Sequence, residues 1–397
     1  MRIAHIITRL IVGGAQENTL LTCADLMRRH GDEVLLITGP GLGPEGTLVP
    51  QAEARRIPLV VLPELRRAVH PWRDWRGYRS IKNALRRFRP DVVHTHSGKA
   101  GLLGRMAATA LGVPAIVHTV HGAPFHTYQS RVARQLLRQC ERYAAARCHR
   151  IVSVADAMTD QLVAAGVAPR HKFLTIHSGM EVEPFLNAAR DRPRVRQELG
   201  YRVEHVVVGK VARMFRLKGH ADVIDAARQV IAARPDVRFL FVGGGVYQPR
   251  LARQIAAAGL SRYFQLTGLV PPERIAELMG AMDIVVHASL REGLARVLPQ
   301  ALIAGKPVVS YDIDGAREVV LPDETGYLLA PGDIRGMATA IETLARDAGL
   351  RDRMGAAGRQ RFTDRFRHET MTKRLRQLYL DILSAHDSRP ARHLSLE

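Results

Sequence analysis

The chain has 397 residues, 46% hydrophobic and 24% charged, enough apolar side chain for two ordinary cores and outside the disordered and fibrous classes. It contains no apolar run of about eighteen residues, and its apolar start, MRIAHIITRLIVGG, is interrupted by Arg9 and lacks a small-residue cleavage site, so it reads as a buried first strand. Lys and Arg number 58 against 38 Asp and Glu, a formal charge of +20 that implies an anionic partner: nucleic acid, phosphorylated substrate or acidic membrane surface.

In chain order, short apolar runs alternate with helix-length amphipathic segments, the pattern of β/α units with parallel sheets. The first half predicts strands at RIAHII, EVLLIT, LVVL, DVVHTH, AIVHTV, RIVSV and FLTIH. Between them, residues 64–90 mix many arginines with Trp72 and Trp75, and residues 131–150 form a basic amphipathic helix. Interleaved Trp and Arg suits an anionic membrane surface; two tryptophans packed on a surface helix would give the same pattern. No nucleic-acid-reading motif accompanies the charge, so nucleic acid is not an expected partner.

A polar stretch at 189–204 predicts a linker between a first domain, 1–188, and a second, 205–365. The second series of strands reads VVVGKVA, VRFLFVG, YFQLTG, IVVHAS, PVVSY and GYLLA, and a long amphipathic helix is expected over 366–386. The three cysteines, an odd count with no CxxC spacing, point to a reducing cytoplasm and to neither a disulfide framework nor a zinc site.

Ligands of doubly wound sheets bind beyond the carboxyl ends of the strands, so the loops there carry the candidates. Gly13 and Gly14 follow the first strand and open a helix, either to admit a ligand to the backbone or to make a tight turn. Arg213 and Lys218 in VARMFRLKG supply a fork and a point charge suited to a diphosphate. Gly243 and Gly245 suggest a dinucleotide loop, but Gln248 replaces the third glycine and no acidic residue follows at a suitable strand end; a structural turn is expected instead. His94, His96, His118 and His121 cluster at strand ends without an acidic second shell, as hydrogen-bonding residues would, and His121 is best placed to donate to a phosphate or hydroxyl. Glu292 opens a glycine turn whose amides at Gly293, Leu294 and Ala295 can donate to sugar hydroxyls while its carboxylate accepts from others.

Taken together, GGAQENTL, HTVHG, ARMFRLKG, LTGLVPPERIAELMGAMDIVV, EGLARVLPQALIAGKPVV and GAREVVLPDETGYLL resemble, in order and spacing, retaining glycosyltransferase family 4, from residue 3 to about 383. The resemblance implies the GT-B architecture: two Rossmann-like domains facing a cleft, a last helix crossing back to the first domain, and no cofactor or metal requirement. It implies that Arg213 and Lys218 bind the donor diphosphate, Gly13 and Gly14 lie beside donor phosphate and acceptor, and His121 lies near the sugar. It also implies that Val270 lies against the nucleobase and that Glu292 is the first acid of E-x7-E, holding donor-sugar hydroxyls. The second acid, which grips the ribose diol, falls on Gln300. The chain is then expected to move a sugar from a nucleotide sugar, a UDP-sugar, to a glycan or polyprenyl-linked acceptor, in the cytoplasm or on the inner face of the plasma membrane. Same-fold epimerases and phosphorylases are the nearest alternatives, a basic nucleic-acid-binding protein or an inactive scaffold the more distant ones.

Overall fold

A computed structural model describes residues 1–43, 46–126 and 129–388. Seven parallel strands form one sheet: β1 (Arg2–Ile7), β2 (Glu33–Thr38), β3 (Leu59–Val61), β4 (Val92–His96), β5 (Ala115–Val120), β6 (Arg150–Ser153) and β7 (Phe173–Thr175), ordered β3-β2-β1-β4-β5-β6-β7. Six more form a second: β8 (Val206–Val211), β9 (Val237–Val242), β10 (Phe264–Leu266), β11 (Ile284–His287), β12 (Val308–Tyr311) and β13 (Gly326–Leu329), ordered β10-β9-β8-β11-β12-β13. Every predicted strand is present, because strands covered by helices on both faces read as continuous apolar runs.

The compact units are Met1–Met180 with the chain from Arg367 onward, and Glu181–Phe366. The expected linker at 189–204 is not a loose connection. It carries the helix Arg192–Glu198, whose Arg192 donates to the carbonyls of Gly280 and Met282 at 2.9 and 2.8 Å and pairs with Asp283 at 2.5 Å. Arg196 reaches the other oxygen of Asp283 at 3.2 Å, so two arginines and one half-buried carboxylate fasten this segment into the second unit.

In the first unit the last helix, His368–Asp387, lies along Gly14–His30 and buries Met371, Leu375, Leu378 and Tyr379 in the same core as Ile3, Ile7, Val92 and Val117. Its polar contacts are specific. Arg376 pairs with Asp32 at 2.8 Å, and His368 with Asp25 at 2.7 Å. The returning chain passes Gly179 so closely that a Cβ there would lie 2.5 Å from the His368 Cα. The second core is built from Val206, Val208, Phe239, Phe241 and Val286 under the helices His220–Ala233 and Ile334–Arg346.

Candidate active site

Each sheet reverses its strand order once, and there the loops leaving neighbouring strands diverge and open a crevice. In the second unit the reversal lies between β8 and β11, which lead into the Lys218 and Glu292 loops. Two backbone contacts clasp those loops. Leu290 N–H donates to the Leu217 carbonyl at 2.9 Å. Gly219, at φ +63°, lies so near Ala288 that a Cβ would stand 1.9 Å from its oxygen, so both the left-handed backbone and the space require glycine.

The clasp sets Lys218 Nζ against Glu292 Oε1 in a half-buried ion pair. His287 Nε2 stands 3.7 Å from the same oxygen, and burial lowers the pKa of that ring. Burial by itself would raise the Glu292 carboxyl, but His287 and Lys218 outweigh it and hold the group well below the usual carboxylate range. The backbone is fixed as well: Glu292 N–H donates to Asp314 Oδ2 at 2.6 Å, and Asp314 occupies the left-handed region at φ +46°.

Arg213 lies exposed on the β8 loop, its guanidinium 5.2 Å from the centre of the Phe215 ring. Beneath it, Cβ atoms at Gly243 and Gly245 would lie 2.3 and 2.5 Å from the carbonyl oxygens of Ala212 and Met214. Those two glycines therefore serve backbone packing and let the Arg213 loop lie down. Gly243 N–H also donates to Gly268 O at 3.1 Å, tying in the loop where Val270 is half-buried. Gly293, Leu294 and Ala295 form a turn of their own, because the helix begins only at Val297; the Gly293 carbonyl accepts from Gly315 N–H at 3.1 Å. Gln300 sits half-buried on that helix.

In the first unit the reversal lies between β1 and β4. His5, His94, His96 and Thr119 share one sheet face by register, and His121 follows β5 two residues beyond Thr119. Nitrogens of His5, His94 and His96 lie within 4.8 Å of one another, yet the His94 and His96 rings stack at 4.4 Å and those of His5 and His96 lie within 14° of parallel. Stacked rings aim their lone pairs in parallel planes, whereas a metal needs them to converge, so the set fits a hydrogen-bond network. His118 points to the opposite face and meets Thr95 Oγ1 at 2.9 Å.

Gly13 and Gly14 do open the helix Gly14–His30, but Thr8–Val12 separate them from β1. Gly13 has φ 170°, an extended conformation open to any residue, and a Cβ there would meet only the mobile end of Gln16, at 2.9 Å. Neither a left-handed backbone nor a close backbone approach within the first unit requires glycine there.

Three residues escape sequence reasoning: Asp314, His287 and Lys210. For Lys210 a signal exists, since VVVGKV places a lysine in a strand buried on both faces. Its side chain is fully buried, and its ammonium makes no hydrogen bond to any described residue. Burial and the like charge of Lys218 lower its pKa to about 7, against the opposing pull of Glu292 and Asp222. Between pH 7 and the ordinary lysine range, the unfolded chain therefore holds a proton that the folded chain lacks, and stability rises with pH. Urea unfolding of Lys210→Met and wild type at pH 7.5 and 9 checks this. The variant's advantage should shrink by roughly 2 kcal/mol over that interval, and parallel pH dependences would contradict the assignment.

Residues 12–184 match the model of Glycosyltransferase Family 4, and residues 191–361 that of Glycosyl transferases group 1. Among similar proteins, the UDP-Gal:alpha-D-GlcNAc-diphosphoundecaprenol alpha-1,3-galactosyltransferase of Escherichia coli is 26% identical over 81% of this chain and 83% of its own. The 2-deoxystreptamine N-acetyl-D-glucosaminyltransferase of Streptomyces fradiae is 27% identical over 94% and 91%. The fold matches that of an Anabaena protein crystallised with UDP and glucose, with a TM-score of 0.82 at 22% identity over 96% of this chain and 100% of that one. Two parallel Rossmann-like sheets, each with its polar residues at the strand-order reversal, and two matching family models lead to one conclusion: the chain is a glycosyltransferase of group 1, with the GT-B fold.

Proposed function

We propose that the enzyme transfers a sugar from a UDP-sugar to a hydroxyl of a glycan or polyprenyl-linked acceptor, with retention and without a metal, in envelope, capsule or exopolysaccharide assembly. The observation that carries this reading is the Lys218–Glu292 pair, which holds a cation and an ionised carboxylate side by side on clasped loops. As the bond from the sugar C1 to the diphosphate lengthens, its electron pair passes to the phosphate oxygen, and Lys218 with Arg213 stabilises that growing charge. The sugar gains oxocarbenium character, which the charge of Glu292 offsets while the carboxylate accepts from sugar hydroxyls. With no carboxylate nucleophile assigned, the acceptor oxygen joins C1 on the face that the phosphate leaves, and its proton passes to the departing phosphate oxygen. His121 and the Gly13–Gly14 amides serve the sugar, the phosphate and the acceptor, and Val270 the nucleobase. The UDP-Gal donor, the diphosphoundecaprenol acceptor and the α product in the name of the Escherichia coli relative support the donor class, the acceptor class and retention.

Gln300 faces the ribose diol in this reading. Its amide can accept from one hydroxyl and donate to the other, so replacing the carboxylate costs on the order of 1 kcal/mol. The enzyme is placed in the cytoplasm, on the inner face of the membrane. No described helix is long and apolar enough to cross a bilayer. In the first unit the helices Pro71–Phe88 and Arg131–Ala145 both pack on Gly98–Thr109 and expose Trp72, Trp75, Val132 and Leu136 among arginines, an arrangement suited to anionic headgroups.

Steady-state kinetics on three variants checks the assignment of roles. Arg213→Ala and Lys218→Ala should each lower kcat/KM by about 100-fold or more, whereas Gln300→Glu should tighten donor binding several-fold with kcat unchanged; wild-type kcat/KM in either alanine variant would contradict the diphosphate roles. Co-sedimentation with phosphatidylglycerol vesicles at low salt should be strong and should fall with added salt and in a Trp72→Ala/Trp75→Ala variant. Absence of binding at low salt would contradict the membrane placement.

A further inference from the structure

Three histidines of the first unit form a continuous hydrogen-bonded chain. His5 Nδ1 lies 3.0 Å from His96 Nε2, and His96 Nδ1 lies 3.1 Å from His121 Nε2. The links join β1, the end of β4 and the residue after β5, which are neighbours across the strand-order reversal. The middle ring is held in place from both sides. His94 stacks on it at 4.4 Å and is itself fixed between Tyr379 Oη of the last helix, at 2.5 Å, and Thr119 Oγ1, at 2.7 Å.

A neutral imidazole has one N–H and one lone pair. His96 bonds another imidazole through each nitrogen, so it must donate through one and accept through the other, and the chain has a direction. In one direction His5 Nδ1–H donates to His96, and His96 Nδ1–H donates to His121. In the other direction His121 donates inward and the proton of His5 moves to Nε2. That atom is buried and has no hydrogen-bond partner among the described residues, so the second direction strands an N–H donor in the core. Buried donors without partners are rarer than bare acceptors, which favours the first direction.

We infer that His96 and His5 are positioning residues for His121: they hold its Nε2 as an acceptor and so fix its single proton on Nδ1, the nitrogen that takes no part in the chain. This rests on the role proposed above for His121 as a donor near the sugar. A ring locked in this way donates and does not serve as a general base through Nε2. The groups around His96 keep it neutral: burial first, then His94 on its own strand, His5 from β1, and His121 and His118 from the β5 side. Neutrality is what gives the chain one direction, because a charged His96 would donate at both ends.

Long-range ¹H–¹⁵N correlation spectra of the ¹⁵N-labelled full chain at pH 7.5 read each tautomer without any turnover. The expected pattern is Nδ1–H on His5, His96 and His121; Nε2–H on any of the three would overturn the inferred direction. His96→Leu should release the His121 proton from Nδ1 to a mixture of both nitrogens and lower kcat about tenfold, with donor KM within about twofold. His96→Gln, which can still accept from His5 and donate to His121, should restore most of kcat. Expected tautomers with an unchanged kcat in a folded His96→Leu variant would overturn the link to transfer. Abolished turnover in wild type with the expected tautomers would instead count against the proposed activity and leave the chain of histidines standing.

Discussion

The Lys218–Glu292 pair is the interaction on which the second unit's candidate site depends. Its residues lie 74 apart in sequence. The Gly219–Ala288 approach and the Leu217–Leu290 hydrogen bond bring the loops together, and the Asp314 carboxylate fixes the backbone of Glu292. Half-buried, the two charges are stronger than a surface pair, and each suits one half of a sugar diphosphate. Lys210 is buried near them, and burial first, then the charge of Lys218, lowers its pKa to about 7.

The two units solve one problem in different chemistry. At the reversal of each sheet, side chains that would elsewhere be apolar are polar: lysine and histidine in the second unit, a histidine stack in the first. Such groups weaken a core unless paired. In the first unit the pairing is internal, ring to ring and ring to Tyr379, so the last helix contributes to the order of the stack as well as to the core. In the second unit the pairing is partial, and Lys210 remains without a hydrogen bond to the described residues.

The thirteen strands described were legible because strands of parallel sheets read as short, continuous apolar runs in the sequence. The positions of Glu292, Lys218 and Arg213 on loops that follow strands were legible from the same runs. What escaped was long-range pairing. Asp314 joins Glu292 from 22 residues away, and His5 meets His96 across 91 residues, separations over which no periodicity speaks. The segment 189–204 looked like a linker because its many charges read as solvated, whereas Arg192 and Arg196 turn inward to Asp283. For Gly13 only the dihedral angles show that the turn itself does not demand glycine, and no sequence pattern carries those angles.

Everything proposed for the chemistry converges on retention at C1 by charged side chains alone. The most direct test incubates the purified enzyme with a panel of nucleotide sugars and a polyprenyl-diphosphate-linked glycan in excess EDTA. Released nucleotide is then quantified, and the anomeric configuration of the product is read by NMR. Acceptor-dependent UDP release and a product with the donor's anomeric configuration are expected. Inverted product, or transfer that EDTA abolishes, would contradict it.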